Sequence, residues 1–150
     1  MDPRIIDSTG ALDPDHIPES ILIIGGGIIG LEMATIYSSL GSNVTIVELT
    51  KALMPGTDPD LVRPLEKYLA GKCKIIKKST QVMSGEATKE GIKIKFKQAE
   101  NINEETFDSV LVAIGRKSNG PVIKLNKVGI QIDKNGFIEV DNQMRTNIDN

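Results

Sequence analysis

With 150 residues, 39% of them hydrophobic and 25% charged, the chain has the size of one or at most two small globular domains with a real core. A formal net charge of −2, with acids and bases interspersed, argues against a nucleic-acid or anionic-membrane surface. The single cysteine excludes an intrachain disulfide, a dithiol redox pair and a cysteine metal cluster, and the longest nearly apolar stretch, Ile21 to Leu31, is too short to span a bilayer.

Met1 is followed directly by Asp2-Pro3-Arg4, not by the basic and apolar regions of a secretory signal, so a cytoplasmic protein is expected. Residues 1–20 hold three prolines and many turn formers and are read as a linker, the exit from an upstream domain. His16, between Pro14 and Pro18, is expected in a solvated loop rather than as a ligand or base.

Ile21 to Ile24 is an unbroken apolar run, as in a parallel strand buried on both faces. Gly25, Gly27 and Gly30 follow at Gly-x-Gly-x-x-Gly spacing: Gly25 for the tight turn, Gly27 for close approach of a pyrophosphate, Gly30 for close helix packing. Gly26, Ile28 and Ile29 add backbone groups beside them. No Lys or Arg occurs between Ile21 and Asn43, so any phosphate here must be held by backbone N–H groups at a helix N-terminus. Ile29, Met33, Ile36 and Leu40 recur at helical spacing and predict the sheet-facing stripe, with Gly41 as the stop. Val44 to Val47 predicts the next strand. Glu48, just beyond it, stands where a carboxylate bonds the adenosine ribose hydroxyls of a dinucleotide. A 2′-phosphate would be repelled by that carboxylate by ~4 kcal/mol per charge pair at 4 Å before screening, which favours NAD over NADP. Lys51 is the only nearby cation, and it lacks the planar fork suited to a 2′-phosphate.

After a loop containing Pro55-Gly56, Asp58 and Pro59 predict a helix running to about Ala70 and ending at Gly71, with Pro64 expected to kink it or delay its regular part. Cys73 reads as a structural cysteine at a strand start or, between Lys72 and Lys74, as a slightly activated thiol. Lys74 to Lys77 predicts a third parallel strand. Ile92 to Lys97 alternates strictly, and with Thr80 to Ala87 before it and Thr106 onward after it predicts a three-stranded antiparallel meander. Its turns are expected at Lys89-Glu90-Gly91 and across Glu100 to Glu105, and its lysine row reads as a solvated face or an anion patch.

Val110 to Ile114 returns to the parallel sheet. The loop Gly115 to Pro121 is then expected to face the ligand, with Gly115 allowing close approach and Arg116 either a contact to the ligand or a plain loop residue. Val128 to Ile132 and Phe137 to Val140 predict a hairpin turning at Asn135-Gly136, and no capped element closes the chain. The pattern defines an α/β class: a Rossmann-like parallel sheet flanked by helices, with the meander on one side, as a dinucleotide-binding domain over 21–150.

Taken together, IIDSTGAL at Ile5 to Leu12, GGGIIGLE at Gly25 to Glu32, IVE at Ile46 to Glu48, LMPG at Leu53 to Gly56 and LVAIGRKSN at Leu111 to Asn119 resemble the pyridine-nucleotide–disulfide oxidoreductases. The likeness is strongest to the members that oxidise dihydrolipoamide, and it covers only their NAD-binding domain. It implies that the glycine turn and the following helix hold NAD and that Glu48 takes the ribose. It also implies that Glu32 lies toward the nicotinamide, that Val82 lines the adenine side and that Gly115 covers the nicotinamide ribose. Glu32 has a second reading, as an acid favoured by a helix N-terminus.

In that family electrons pass from the substrate to a cysteine pair, then to FAD, then to NAD, and this chain has neither the cysteine pair nor the FAD fingerprint. The resemblance therefore implies a fragment, inactive alone, whose partners are missing FAD and interface domains of a parent that forms a homodimer within 2-oxo-acid dehydrogenase complexes. Faces left bare by those absences are expected to promote self-association. The alternatives are a related parent with another substrate, a free-standing dinucleotide-binding module, and an FAD site built on the same triplet.

Overall fold

A computed structural model describes residues 2–149, which divide into two compact units, 2–114 and 115–149. In the first, eight strands and three helices follow one another: β1 (Ile5–Ile6), α1 (Ser8–Leu12), β2 (Ser20–Ile24), α2 (Ile28–Ser39), β3 (Asn43–Val47), α3 (Pro59–Ala70), β4 (Ile75–Lys77), β5 (Thr80–Ala87), β6 (Ile92–Gln98), β7 (Asn101–Phe107) and β8 (Ser109–Val112). Five strands form a wholly parallel sheet in the order β1-β8-β2-β3-β4, and β5-β6-β7 form the antiparallel meander.

Because successive strand residues point to opposite faces, the apolar run of β2 serves two cores at once. Ile21 and Ile23 join Val44, Ile46 and Leu111 beneath the helices, while Leu22 joins Val47 and Val110 beneath the meander. The meander presents Ile92, Ile94 and Phe96 to that second core, with Phe96 edge-on to Phe107 at 6.3 Å between ring centres. It thus covers the sheet face opposite the helices, making three layers.

Three expectations are corrected. The stripe Ile29, Met33, Ile36, Leu40 is not the sheet-facing one: Ile36 and Leu40 are exposed, and Gly30, Leu31, Met33, Ala34 and Tyr37 are buried. The smallest residue, not the most apolar ones, selects the face, because Gly30 alone lets the helix axis come close to the strand. The stretch Glu100 to Glu105 is not a turn. Only Ala99 (φ 52°) and Glu100 turn the chain, and Asn101 onward is strand. The acidic residues there pair with the neighbouring lysines: Glu104 accepts from Lys93 at 2.8 Å, and Glu105 pairs with Lys77 of β4. Two of the three lysines in the meander's row, Lys93 and Lys95, therefore face the Glu104 carboxylate. Pro64, finally, does not delay the regular part of α3, which runs over twelve residues directly from the Asp58 cap.

The leader is more than a connector. Ile5 and Ile6 pair with Val110 and Leu111 at the sheet edge, and Asp7 caps α1 by accepting from the Thr9 and Gly10 N–H groups. The buried Tyr37 hydroxyl donates to the Ala11 carbonyl at 2.9 Å, and the Ser42 hydroxyl to the Pro18 carbonyl at 2.6 Å. Arg4 donates to the Thr88 carbonyl at the far end of the meander and to Asp2, whose carboxyl those bonds hold down at about 2. Among the described residues no helix is long and apolar enough to cross a membrane.

In the second unit the expected hairpin is reduced to one bridge, Ile132 with Ile138, because the Asp133 carboxylate draws in the Asn135 and Phe137 N–H groups and closes the turn locally. Gly136 in that turn has φ 82°. Val128 belongs to a 3-10 turn, Leu125–Val128, and not to a strand.

If the leader is docked as described, Tyr37→Phe leaves the Ala11 carbonyl without its donor and lowers the unfolding free energy by about 1–3 kcal/mol in urea titrations. A variant indistinguishable from the parent would show that the leader does not depend on that bond.

Candidate functional site

The carboxyl ends of β2, β3 and β8 lie level, with Ile24 opposite both Val47 and Val112. From β2 the chain moves outward through β3 and β4 and then returns to β8 on the other side of β2. The turn after β2 therefore sits at the topological switch point, where open α/β sheets form their ligand crevice.

Each glycine of the turn faces a different constraint. Gly25 adopts φ +113°, and a Cβ there would lie 2.4 Å from the Ala113 carbonyl oxygen. A Cβ on Gly30 would lie 2.1 Å from the Gly25 carbonyl oxygen, and one on Gly26 would lie 2.6 Å from Leu53 Cδ2. Gly27 differs: its φ is −83°, and a Cβ would meet nothing within 4 Å. Nothing in the fold itself requires a glycine there.

Gly27 is also the N-cap of α2, with no side-chain cap and no acid in the first turn. Among the described residues, none supplies an acceptor to the N–H groups of Gly27, Ile28, Ile29 or Gly30. Four donors without an acceptor and the positive end of a twelve-residue helix thus gather at the head of α2, the arrangement that takes an anion. Ile28 is exposed beside it and Ile29 half-buried.

Glu48 stands at the end of β3 with only 8% of its surface exposed. Its Oε2 accepts the Gly26 N–H at 2.7 Å and its Oε1 the Thr50 N–H at 2.7 Å. Burial works against its charge, but the Thr50 and Gly26 N–H groups outweigh burial and hold the carboxyl below its ordinary range. The acid is therefore first a clamp on the glycine turn. Each oxygen keeps a lone pair for a further donor.

Gly25 through Gly30, Glu32 and Glu48 come together on this one edge; Glu32 is exposed on α2, one residue past its first turn. Val82 is half-buried against the core beneath the meander, at a bulge in β5. Gly115 opens the second unit, where Arg116 lines a cavity of about 500 Å³ with Lys117, Ser118, Lys134 and Phe137. Cys73 is buried, and burial pushes its thiol up, so it is a packing residue and not an activated thiol. Sequence reasoning gave no role to Leu53 and Met54, which lie against Gly26; the only signal for them was the LMPG string. No group of three His, Cys, Asp or Glu residues gathers as a metal site among the described residues.

A parallel sheet covered by helices on one face and a meander on the other, with a glycine turn at its switch point, defines a Rossmann-like α/β unit. Residues 2–150 match the family described as Pyridine nucleotide-disulphide oxidoreductase, and the chain belongs to it. Among curated relatives it is 48% identical to dihydrolipoyl dehydrogenase of Vibrio parahaemolyticus over 98% of this chain and 31% of that protein. It is 45% identical to dihydrolipoamide dehydrogenase of Chaetomium thermophilum over 96% of this chain and 29% of that one. Among solved structures, the Cu(II) complex of the HOCl-induced flavoprotein disulfide reductase RclA from Escherichia coli superposes with a TM-score of 0.84 at 27% identity, covering 98% of this chain and 32% of that one. An NAD-dependent persulfide reductase from A. fulgidus superposes at 0.71 with 30% identity, over 87% and 24%. The chain thus spans about a third of the length of the curated relatives it matches.

The clamp predicts a pH dependence. A carboxyl depressed in the folded state stabilises the fold above its ordinary range, and that stability is lost as pH falls through the folded value. Glu48→Gln, which sets an amide against backbone donors, is expected to lower stability by about 1–3 kcal/mol at neutral pH. In urea titrations along a pH series, the difference between the two proteins narrows as the wild-type carboxyl becomes protonated.

Proposed function

We infer that this chain is the NAD(H)-binding portion of a flavoprotein disulfide oxidoreductase that oxidises dihydrolipoamide, with FAD and the redox disulfide carried elsewhere in a longer parent chain. The observation that carries the reading is Gly27: a glycine that the fold does not need, at the head of a helix whose first N–H groups have no acceptor. A diphosphate fits that place. It would take the donors of Gly27, Ile28 and Ile29 without any cationic side chain, and the spare lone pairs of Glu48 would receive the ribose hydroxyls of the adenosine half.

When bound, NAD supplies the hydride acceptor; the residues here bind and orient it. Glu32 on α2, Val82 and Gly115 are assigned to the nicotinamide end, the adenine side and the nicotinamide ribose on the resemblance alone. The dihydrolipoamide substrate rests on the 35–48% identity to dihydrolipoyl dehydrogenases, set beside 27% to the RclA reductase. With a single cysteine, the chain alone does not pass electrons from a dithiol. The parent acts as a homodimer within 2-oxo-acid dehydrogenase complexes in the cytoplasm, and residues 1–20 lead in from its FAD domain.

Titration of the 150-residue chain with NADH, NADPH and FAD at one ionic strength tests this. NADH is expected to bind at least about tenfold more tightly than the others, ~1.4 kcal/mol. Gly27→Ala, which puts a poorer N-cap on α2, is expected to lower stability by no more than about 1 kcal/mol and to lower NADH affinity by about tenfold or more. Preference for FAD, or unchanged binding in Gly27→Ala, would overturn the reading.

A further inference from the structure

The LMPG string, Leu53 to Gly56, has no part in the site as built so far, yet the loop that carries it grips the glycine turn. The Met54 N–H donates to the Gly26 carbonyl at 2.8 Å, while the Gly26 N–H donates to Glu48. Both polar groups of Gly26 are thereby committed to one strap, residues 48–54. Leu53, 1% exposed, fills the space that a side chain on Gly26 would occupy.

Several bonds hold the strap in shape. The Thr50 N–H bonds Glu48, the Thr50 hydroxyl donates to the Ala52 carbonyl at 2.7 Å, and the Thr57 N–H bonds the Met54 carbonyl at 3.0 Å. Met54 adopts φ +48°, a left-handed conformation that a side chain of its kind rarely takes and that persists only where the surroundings over-determine it. Here that conformation delivers its N–H to Gly26.

We propose that Leu53 and Met54 are positioning residues that set the discrimination of this site between a free ribose 2′-hydroxyl and a 2′-phosphate. The inference rests on the dinucleotide reading and deepens it. An exclusion that depends on like charge works only if the charge cannot move aside. Glu48 is pinned at both oxygens, to Gly26 and to Thr50, and Gly26 is in turn pinned by Met54 and backed by Leu53. Removing the Leu53 side chain opens a void beside Gly26, frees the turn, and lets the Glu48 carboxylate swing away from an incoming 2′-phosphate.

The test is a pair of calorimetric titrations, with ADP-ribose and with 2′-phospho-ADP-ribose, on the wild-type chain, Leu53→Ala and the milder Leu53→Val. Thermal denaturation confirms that each is folded, and the valine variant serves where the alanine one does not fold. Wild type is expected to favour ADP-ribose by about tenfold or more, and the ratio is expected to fall below about threefold in Leu53→Ala, with Leu53→Val between them. A purely structural loss weakens both ligands equally and leaves the ratio intact, so an unchanged ratio in a folded variant overturns the proposal. A wild-type chain that binds neither ligand, or both alike, overturns the dinucleotide reading and takes the proposal with it. Gly26→Ala, whose Cβ presses on Leu53 from the other side, is expected to lower the ratio in the same way, and Gly26→Ala with Leu53→Ala to bind ADP-ribose more tightly than Gly26→Ala alone.

Discussion

The contact on which this molecule depends most is the approach of Gly30 to the Gly25 carbonyl oxygen, so close that a side-chain carbon at residue 30 would lie 2.1 Å from it. Any other residue there would lift α2 off the sheet. Because the helix lies this close, its buried face is the one that carries Gly30, Ala34 and Tyr37, and Tyr37 can reach the Ala11 carbonyl and fasten the leader. The same seating sets the head of α2 directly after the carboxyl end of β2. The packing of α2 and the attachment of the leader follow from one missing side chain.

The second organising feature is the way a single sheet supports two unlike covers. Alternation along β2 sends Ile21 and Ile23 to the helices and Leu22 to the meander, so one strand contributes to both cores. The meander stands in for a crossover helix between β4 and β8 and is tied on by the Lys77–Glu105 pair, with the Lys77 ammonium over the Phe96 ring. Ion pairs that stay partly open to solvent contribute little each, typically below ~1 kcal/mol. Their value here lies in register, since Lys93 and Lys95 of β6 are set opposite Thr106 and Glu104 of β7.

At the site itself, electrostatics is supplied without cationic side chains. The helix end presents uncommitted N–H groups, and the Glu48 carboxylate is turned inward onto the glycine turn, its charge stabilised by the N–H groups of Gly26 and Thr50. Such a site is assembled before any ligand arrives, which reduces the ordering cost of binding.

Much was legible in the sequence because it depends on local rules. Apolar runs marked β2, β3 and β8, strict alternation marked β6, Asp58-Pro59 marked the start of α3, and the glycine spacing marked the turn. What the sequence could not carry was set by partners distant along the chain. The acidic run from Glu104 looks like a loop until the lysines of β6 and β4 are placed beside it. Ile5 and Ile6 are too few to signal a strand until β8 offers an open edge. Ile36 and Leu40 look like core until the closeness demanded by Gly30 turns them outward. Glu48 was visible as an acid in the right place, but its hold on Gly26, and the Leu53–Met54 strap behind it, exist only once β3 and its loop fold over the turn. The sequence alone determined which elements form and where the glycine turn lies, because those rest on backbone conformation and residue periodicity. Only the tertiary structure decided which faces are buried and which donors are already taken, because close approach and hydrogen-bond partnership are properties of pairs.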